Sequence, residues 1–153
     1  MNTTGPNERT RIVIWGMALL LIATACGSSD SAGDMSLTWD GESCIYSGPT
    51  ELTPGAVTLN FVNTSEEDLL NVNLVEILEG HTIDDIVADL GPEPSTRHAP
   101  SWTREMGTWN NHAWPGNTST WEGTLEPGIY AMVCARATPF GVWFGTGLTV
   151  EAS

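Results

Sequence analysis

The chain has 153 residues, 41% of them hydrophobic, and carries 19 acidic against 5 basic side chains for a formal net charge of −14; every basic residue is an arginine. That charge excludes nucleic-acid binding through phosphate contacts, which cationic side chains must supply, and electrostatic docking on an anionic membrane. The apolar fraction excludes a disordered acidic tail, and the length suits a single globular domain.

Arg9 and Arg11 precede an apolar run at residues 12–25, followed at once by Cys26-Gly27-Ser28-Ser29-Asp30. Fourteen helical residues reach only about 21 Å, short of the roughly 30 Å hydrocarbon core, so the pattern predicts a signal peptide over residues 1–25 rather than a membrane span. Ala23-Thr24-Ala25-Cys26 resembles the bacterial lipobox, with Ala23 where leucine is usual. That resemblance implies acylation of Cys26, and Gly, Ser and Asp over residues 26–34 suit a flexible tether. The expected address is therefore the outer face of a cell membrane, with a globular domain over residues 35–153. No nucleic-acid partner and no cofactor are expected.

Within the domain, residues 35–39 open as a strand. Val57, Leu59 and Phe61 alternate with Thr58 and Asn60 after the turn signal Pro54-Gly55, and Leu70, Val72 and Leu74 alternate with Asn71 and Asn73. Period-two alternation marks half-buried strands. One helix interrupts them: Thr82 is its N-cap, and Asp84 and Asp85 lie in the first turn. Ile83, Ile86, Val87 and Leu90 form its apolar stripe, and Gly91-Pro92 stops it. The spacing predicts packing of this helix on a sandwich edge. Ser119, Trp121, Gly123 and Leu125 form another alternating strand. Residues 129–134 are a continuous apolar run that fits a central strand covered on both faces, and residues 148–151 close the chain.

Cys44 and Cys134 remain once Cys26 is set aside. An even pair outside the cytoplasm fits a disulfide closing a loop of about 90 residues. A thiolate metal ligand at Cys134, or two buried thiols, are the alternatives. In Leu125-Glu126-Pro127-Gly128-Ile129-Tyr130, proline and glycine make a bend from which Tyr130 can bond back to the turn, a tyrosine corner; a plain hairpin with a core tyrosine is the other reading.

Pro127-Gly128-Ile129-Tyr130-Ala131-Met132-Val133-Cys134, with Gly147-Leu148-Thr149-Val150 downstream, resembles the C-terminal half of cupredoxin-like domains. Asn63-Thr64-Ser65, residues 70–77 and Gly80-His81-Thr82-Ile83-Asp84-Asp85 are similar to small secreted bacterial proteins of that superfamily, which carry a similar helical insertion. The resemblance covers residues 35–152 and is strongest over 121–150. It implies an all-β Greek-key sandwich of seven or eight strands with one short helix. It also implies where type-1 copper ligands would stand: a histidine near Leu70, the thiolate at Cys134, a second histidine among residues 135–139 and an axial methionine at Leu148. Only Cys134 is a donor, and Arg136 would repel a cation there, so no metal is expected.

The three histidines, His81, His98 and His112, lack metal-motif spacing, and no nucleophile elbow or phosphate loop occurs. The unusual region is residues 97–121, with Trp102, Arg104, Trp109, Asn111, His112 and Trp114 as a candidate ligand surface. Its segments 101–104 and 108–112 do not read as strands, and its indoles read either as plugs for an open sandwich end and cover for the helix or as a platform for sugar rings. The leading functional expectation is a non-catalytic, lipid-anchored module that binds an envelope partner. A carbohydrate or small-ligand binder using these tryptophans, and a metal or redox protein using Cys134, are the alternatives.

Overall fold

The computed structural model describes residues 35–91, 99–108 and 111–152. The expected signal peptide 1–25, the tether 26–34 with Cys26, and His98 and Trp109 lie outside the described residues. In chain order the elements are β1 (Met35–Trp39), β2 (Cys44–Ser47), β3 (Glu51–Leu52), β4 (Gly55–Asn63), β5 (Leu70–Ile77) and α1 (Ile83–Leu90). They continue with β6 (Thr103–Glu105), β7 (His112–Ala113), β8 (Thr118–Leu125), β9 (Gly128–Ala137) and β10 (Phe140–Val150).

The strands form two sheets, one ordered β2-β1-β4-β8 and the other β3-β10-β9-β5-β6, with β7 added alongside β5. β1 runs parallel to β4 and β3 parallel to β10; the remaining pairs are antiparallel. The connections β2–β3, β3–β4, β4–β5, β7–β8 and β8–β9 all cross from one sheet to the other. The described residues thus form the all-β Greek-key sandwich with one short helix that the resemblance implies, with ten strands because three short ones, β3, β6 and β7, join the larger set.

The alternation in the sequence sorts side chains as a pleated strand must. Leu37, Trp39, Val57, Leu59, Phe61 and Leu125 of the first sheet meet Leu70, Val72, Leu74, Tyr130, Met132, Cys134, Leu148 and Val150 of the second in one buried core. The second sheet is covered on its outer face too. There Val75, Ile77 and Ala131 are buried with Ile86 of α1, and Val133, Ala135 and Val142 pack with Leu90 and Phe144. Burial on both faces is why residues 129–134 show no polar alternation.

Helix α1 begins as expected. The Thr82 Oγ1 accepts from the Asp85 N–H, and the Asp85 carboxylate accepts from the Thr82 N–H at 2.8 Å, a reciprocal capping box. The Thr82 N–H, with the Thr82 hydroxyl beside it, holds the Asp85 carboxyl below the usual carboxylate range. Two expectations are corrected. The helix lies on the outer face of the second sheet, against β9 and β10, and not on an edge. Its stripe is Ile83, Ile86 and Leu90, because the contact with a flat sheet is narrower than a helical stripe four residues wide; Val87 turns outward and is 43% exposed.

The docking depends on a glycine. A Cβ at Gly147 would overlap the Ile83 side chain at Cδ1 and Cγ1. Gly147→Val is therefore expected to overpack this seam at a cost of about 1–3 kcal/mol. Hydrogen exchange should show α1 amides losing protection while β4 and β8 keep theirs.

The bend before β9 is a tyrosine corner: the Tyr130 hydroxyl donates to the Glu126 carbonyl at 2.9 Å, and β8 and β9 lie in different sheets, so the turn is not a hairpin. Burial, with the nearby Glu76 carboxylate, raises the Tyr130 pKa above its ordinary value. Folded Tyr130 therefore keeps its proton when the unfolded residue loses it, so its stabilising contribution is complete below pH ~10 and declines as pH rises further. Tyr130→Phe should cost about 1 kcal/mol at neutral pH. Denaturant midpoints followed upward from neutrality should then show a shallower alkaline loss, leaving the part due to Tyr46, whose pKa burial also raises.

The tryptophan-rich region contains more strand than its sequence suggests. Thr103–Glu105 pairs with residues 75–77 of β5, and His112–Ala113 pairs with Leu70 and Asn71. Such short edges carry no periodicity of their own; their partner strand fixes them.

Candidate functional site

The loops after β1, β4 and β9 and the turn before β8 gather at one end of the sandwich, and a buried asparagine ties two of them. Asn63, 1% exposed, donates from Nδ2 to the carbonyls of Asp68 (2.6 Å) and Ala113 (2.8 Å), while its Oδ1 accepts from the Ser65 N–H and hydroxyl. Its own N–H donates to the Asn117 carbonyl, and the next N–H, of Thr64, donates to Trp39. With all the capacity of its side-chain amide used, Asn63 fixes the loop at residues 64–69 against the turn at 114–117, and Thr64 ties both to the end of β1. Asp40 closes the loop after β1, accepting from the N–H groups of Glu42 and Ser43, which lower its pKa.

Beneath the loops the two sheets are joined by two facing pairs. Trp39 is the cross-strand neighbour of Cys44, and Trp143 that of Cys134. Cys44 and Cys134 are bonded, with Cα atoms 5.8 Å apart, and the two indoles meet at 4.5 Å between centroids, tilted by 55°. A bulge in β10 between Phe144 and Thr146 makes room for this arrangement. At Gly145, within it, a Cβ would stand 2.7 Å from Leu37 Cδ1 and 3.0 Å from Cys44 Sγ. The Arg136 guanidinium lies over the Trp143 ring at 5.2 Å, donates from Nε to the Pro139 carbonyl, and pairs with Asp68 at 3.5 Å. Both members of that pair are largely shielded from solvent.

The donor set that the resemblance assigns to copper does not fit the ion. Leu70 and Leu148 are 1% and 0% exposed hydrocarbon in the core, and the Cys134 sulfur is already bonded to Cys44. A trigonal copper centre needs two imidazoles and a free thiolate at one point. Among the described residues, no three histidine, cysteine, aspartate or glutamate side chains converge on a position that could hold a metal ion. His81 instead stacks on Trp102, with ring centroids 4.3 Å apart and planes within 9°, and its Nδ1 lies 3.8 Å from the Asp85 carboxylate.

The described residues of the tryptophan-rich region lie at two separate places. Arg104 stands opposite Glu76 on β5, with which it forms an ion pair, whereas His112 stands opposite Asn71. Five residues of extended strand separate these positions, about 16 Å. Trp102 and Arg104 thus lie at the end near the start of α1, and Trp102 is half-buried against the helix-side cluster. His112 and Trp114 lie at the loop end, where Trp114 is 62% exposed; Asn111 is half-buried. Trp39 and Trp143 meet beneath the loops, and Trp102 packs with the helix-side cluster; of the three only Trp102 belongs to the tryptophan-rich region.

Sequence reasoning did not identify Asn63 or the Trp39–Trp143 and Arg136–Asp68 contacts. Asn63-Thr64-Ser65 carries a local signal, since asparagine readily bonds the backbone two residues on. The other contacts join residues tens to more than a hundred positions apart and leave no pattern in the chain.

No known protein family matches this chain, and no curated protein matches it. Among solved structures, it is similar to the dithionite-reduced auracyanin of the photosynthetic bacterium Roseiflexus castenholzii, at 22% identity and a TM-score of 0.42, over 79% of this chain and 98% of that one. It is also similar to a multicopper oxidase, at 15% identity and a TM-score of 0.35, over 78% of this chain and 45% of that one.

Proposed function

We propose that the chain is a non-catalytic module, held to the outer face of a cell membrane through a lipid on Cys26, that offers its surface to a protein or glycan of the cell envelope. The observation that carries this reading is the fate of Cys134. The one copper donor that the resemblance leaves in place is consumed in a bond to Cys44, and buried leucines stand at two of the other ligand positions. A disulfide joining the two sheets is durable outside the reducing cytoplasm, which supports the extracytoplasmic address. With no free thiolate among the described residues, the reading rests on surface contact.

The test uses the purified chain. Metal analysis should find no stoichiometric copper, visible spectra should show no intense charge-transfer band, and thiol titration should count Cys44 and Cys134 only after reduction. A blue protein with one copper per chain would overturn the reading. The anchor is tested separately: mass spectrometry of the membrane fraction should find acyl chains on Cys26, and Cys26→Ser should release the protein.

A further inference from the structure

We infer that β8 is a self-pairing edge, through which two copies of this chain join antiparallel once salt screens their charge. β8 ends its sheet: it pairs with β4 on one side, and among the described residues nothing pairs with its other side. Alternate residues of an edge strand therefore turn N–H and C=O groups outward, a template for another extended backbone.

Proteins normally blunt such edges by shortness, charge, proline or a bulge. The other edges here are blunted. β2 has four residues and is pinned by the Cys44 bond, β3 has two, and β6 has three, including Arg104 and Glu105. β8 has eight residues, TSTWEGTL, with no proline and an unbroken register against β4. Its single charge is Glu122, and its outward residues Thr118, Thr120 and Thr124 favour extended structure. Local protection is nearly absent.

What holds two copies apart is the net charge of −14 on each. That repulsion is long-ranged at low ionic strength, where the screening length is about 30 Å at ~0.01 M salt, and falls to about 3 Å at ~1 M. The pleat then restricts how the strands can meet. Opposed residues must share a face, so a two-fold axis falls on a residue and not between two. An axis at Glu122 would oppose two carboxylates. An axis at Trp121 aligns residues 118–124 of both copies and sets Glu122 opposite Thr120 of the second copy. The product is a continuous eight-stranded sheet.

Sedimentation equilibrium of the purified full chain in about 0.01 M and about 1 M sodium chloride tests this. The wild type is expected to pass from monomer toward dimer at high salt, with hydrogen-exchange protection gained over residues 118–124. Thr120→Glu places a carboxylate against Glu122 of the second copy and should weaken dimerisation about tenfold. Ala56→Glu adds the same charge to the same face one strand further in, opposite Thr124 and not Glu122, and should leave dimerisation intact; circular dichroism checks the fold of both. Equal effects of the two substitutions, or protection gained elsewhere, would overturn the proposal. A chain that stays monomeric at high salt would also overturn it, leaving the edge to a strand from a different protein.

Discussion

Replacement of both Cys44 and Cys134 by alanine is expected to lower the unfolding free energy by about 4–5 kcal/mol, the largest effect of any change considered for this domain. The bond spans a sequence separation of 90 residues, and in the chain-entropy model a closed loop of that size removes about that much freedom from the unfolded ensemble. The native state adds to the loss, because Cys134 is fully buried and β2 is a four-residue edge held by β1 and by this bond. For a domain of this size the midpoint of thermal unfolding should fall by about 15 °C or more. Reduced wild type should melt with the variant, while oxidised wild type melts well above both. A shift under about 1 kcal/mol would mean that the unfolded chain is already compact around this loop, and that packing alone holds the sheets together.

How much of this was legible in the sequence follows from the range of each interaction. Val57, Leu59 and Phe61, and Leu70, Val72 and Leu74, announce their strands because burial on one face writes period two directly into the chain. Thr82 and Asp85 announce the start of α1 because capping is a contact between neighbours. The end of the helical stripe was less legible. Val87 is apolar and correctly spaced, yet a flat sheet contacts a helix along a narrow line and leaves it exposed. β10 starts at Phe140, well before the expected 148, because Trp143, Phe144 and the glycines around them break alternation at the bulge. Cys44 and Cys134 were legible as a pair, though not as neighbours of Trp39 and Trp143. The tryptophan-rich region misled most: polar and aromatic residues close in sequence suggest one surface, and β5 distributes the described ones between its two ends. Proximity in sequence located the elements, while cross-strand register decided the site.

Trp39→Ala is the second large expectation, a loss of about 3–5 kcal/mol. The indole is 1% exposed, packs against Trp143 and stands on the strand position beside Cys44. Its removal deletes more buried surface than the surrounding strands can recover by collapsing, since β1 is fixed by β2 on one side and β4 on the other. Trp39→Phe should cost much less. The phenyl ring keeps most of the contact with Trp143, and the exchange removes a buried Nε1–H that has no hydrogen-bond partner among the described residues. Trp143→Ala should fall between the two, because Trp143 is half-buried while its loss also strips Arg136 of the ring beneath it. If the facing pairs act as one closure, Trp39 and Trp143 should couple in a double-mutant cycle by at least about 0.5 kcal/mol, and additive losses would show that they act separately. If the closure also shields the disulfide, the Cys44–Cys134 bond of Trp39→Ala should be reduced by dithiothreitol several-fold faster than that of the wild type under native conditions, while Trp39→Phe stays near the wild-type rate. Equal rates in all three proteins would show that the bond is reached from the β2 edge and that the indoles guard nothing.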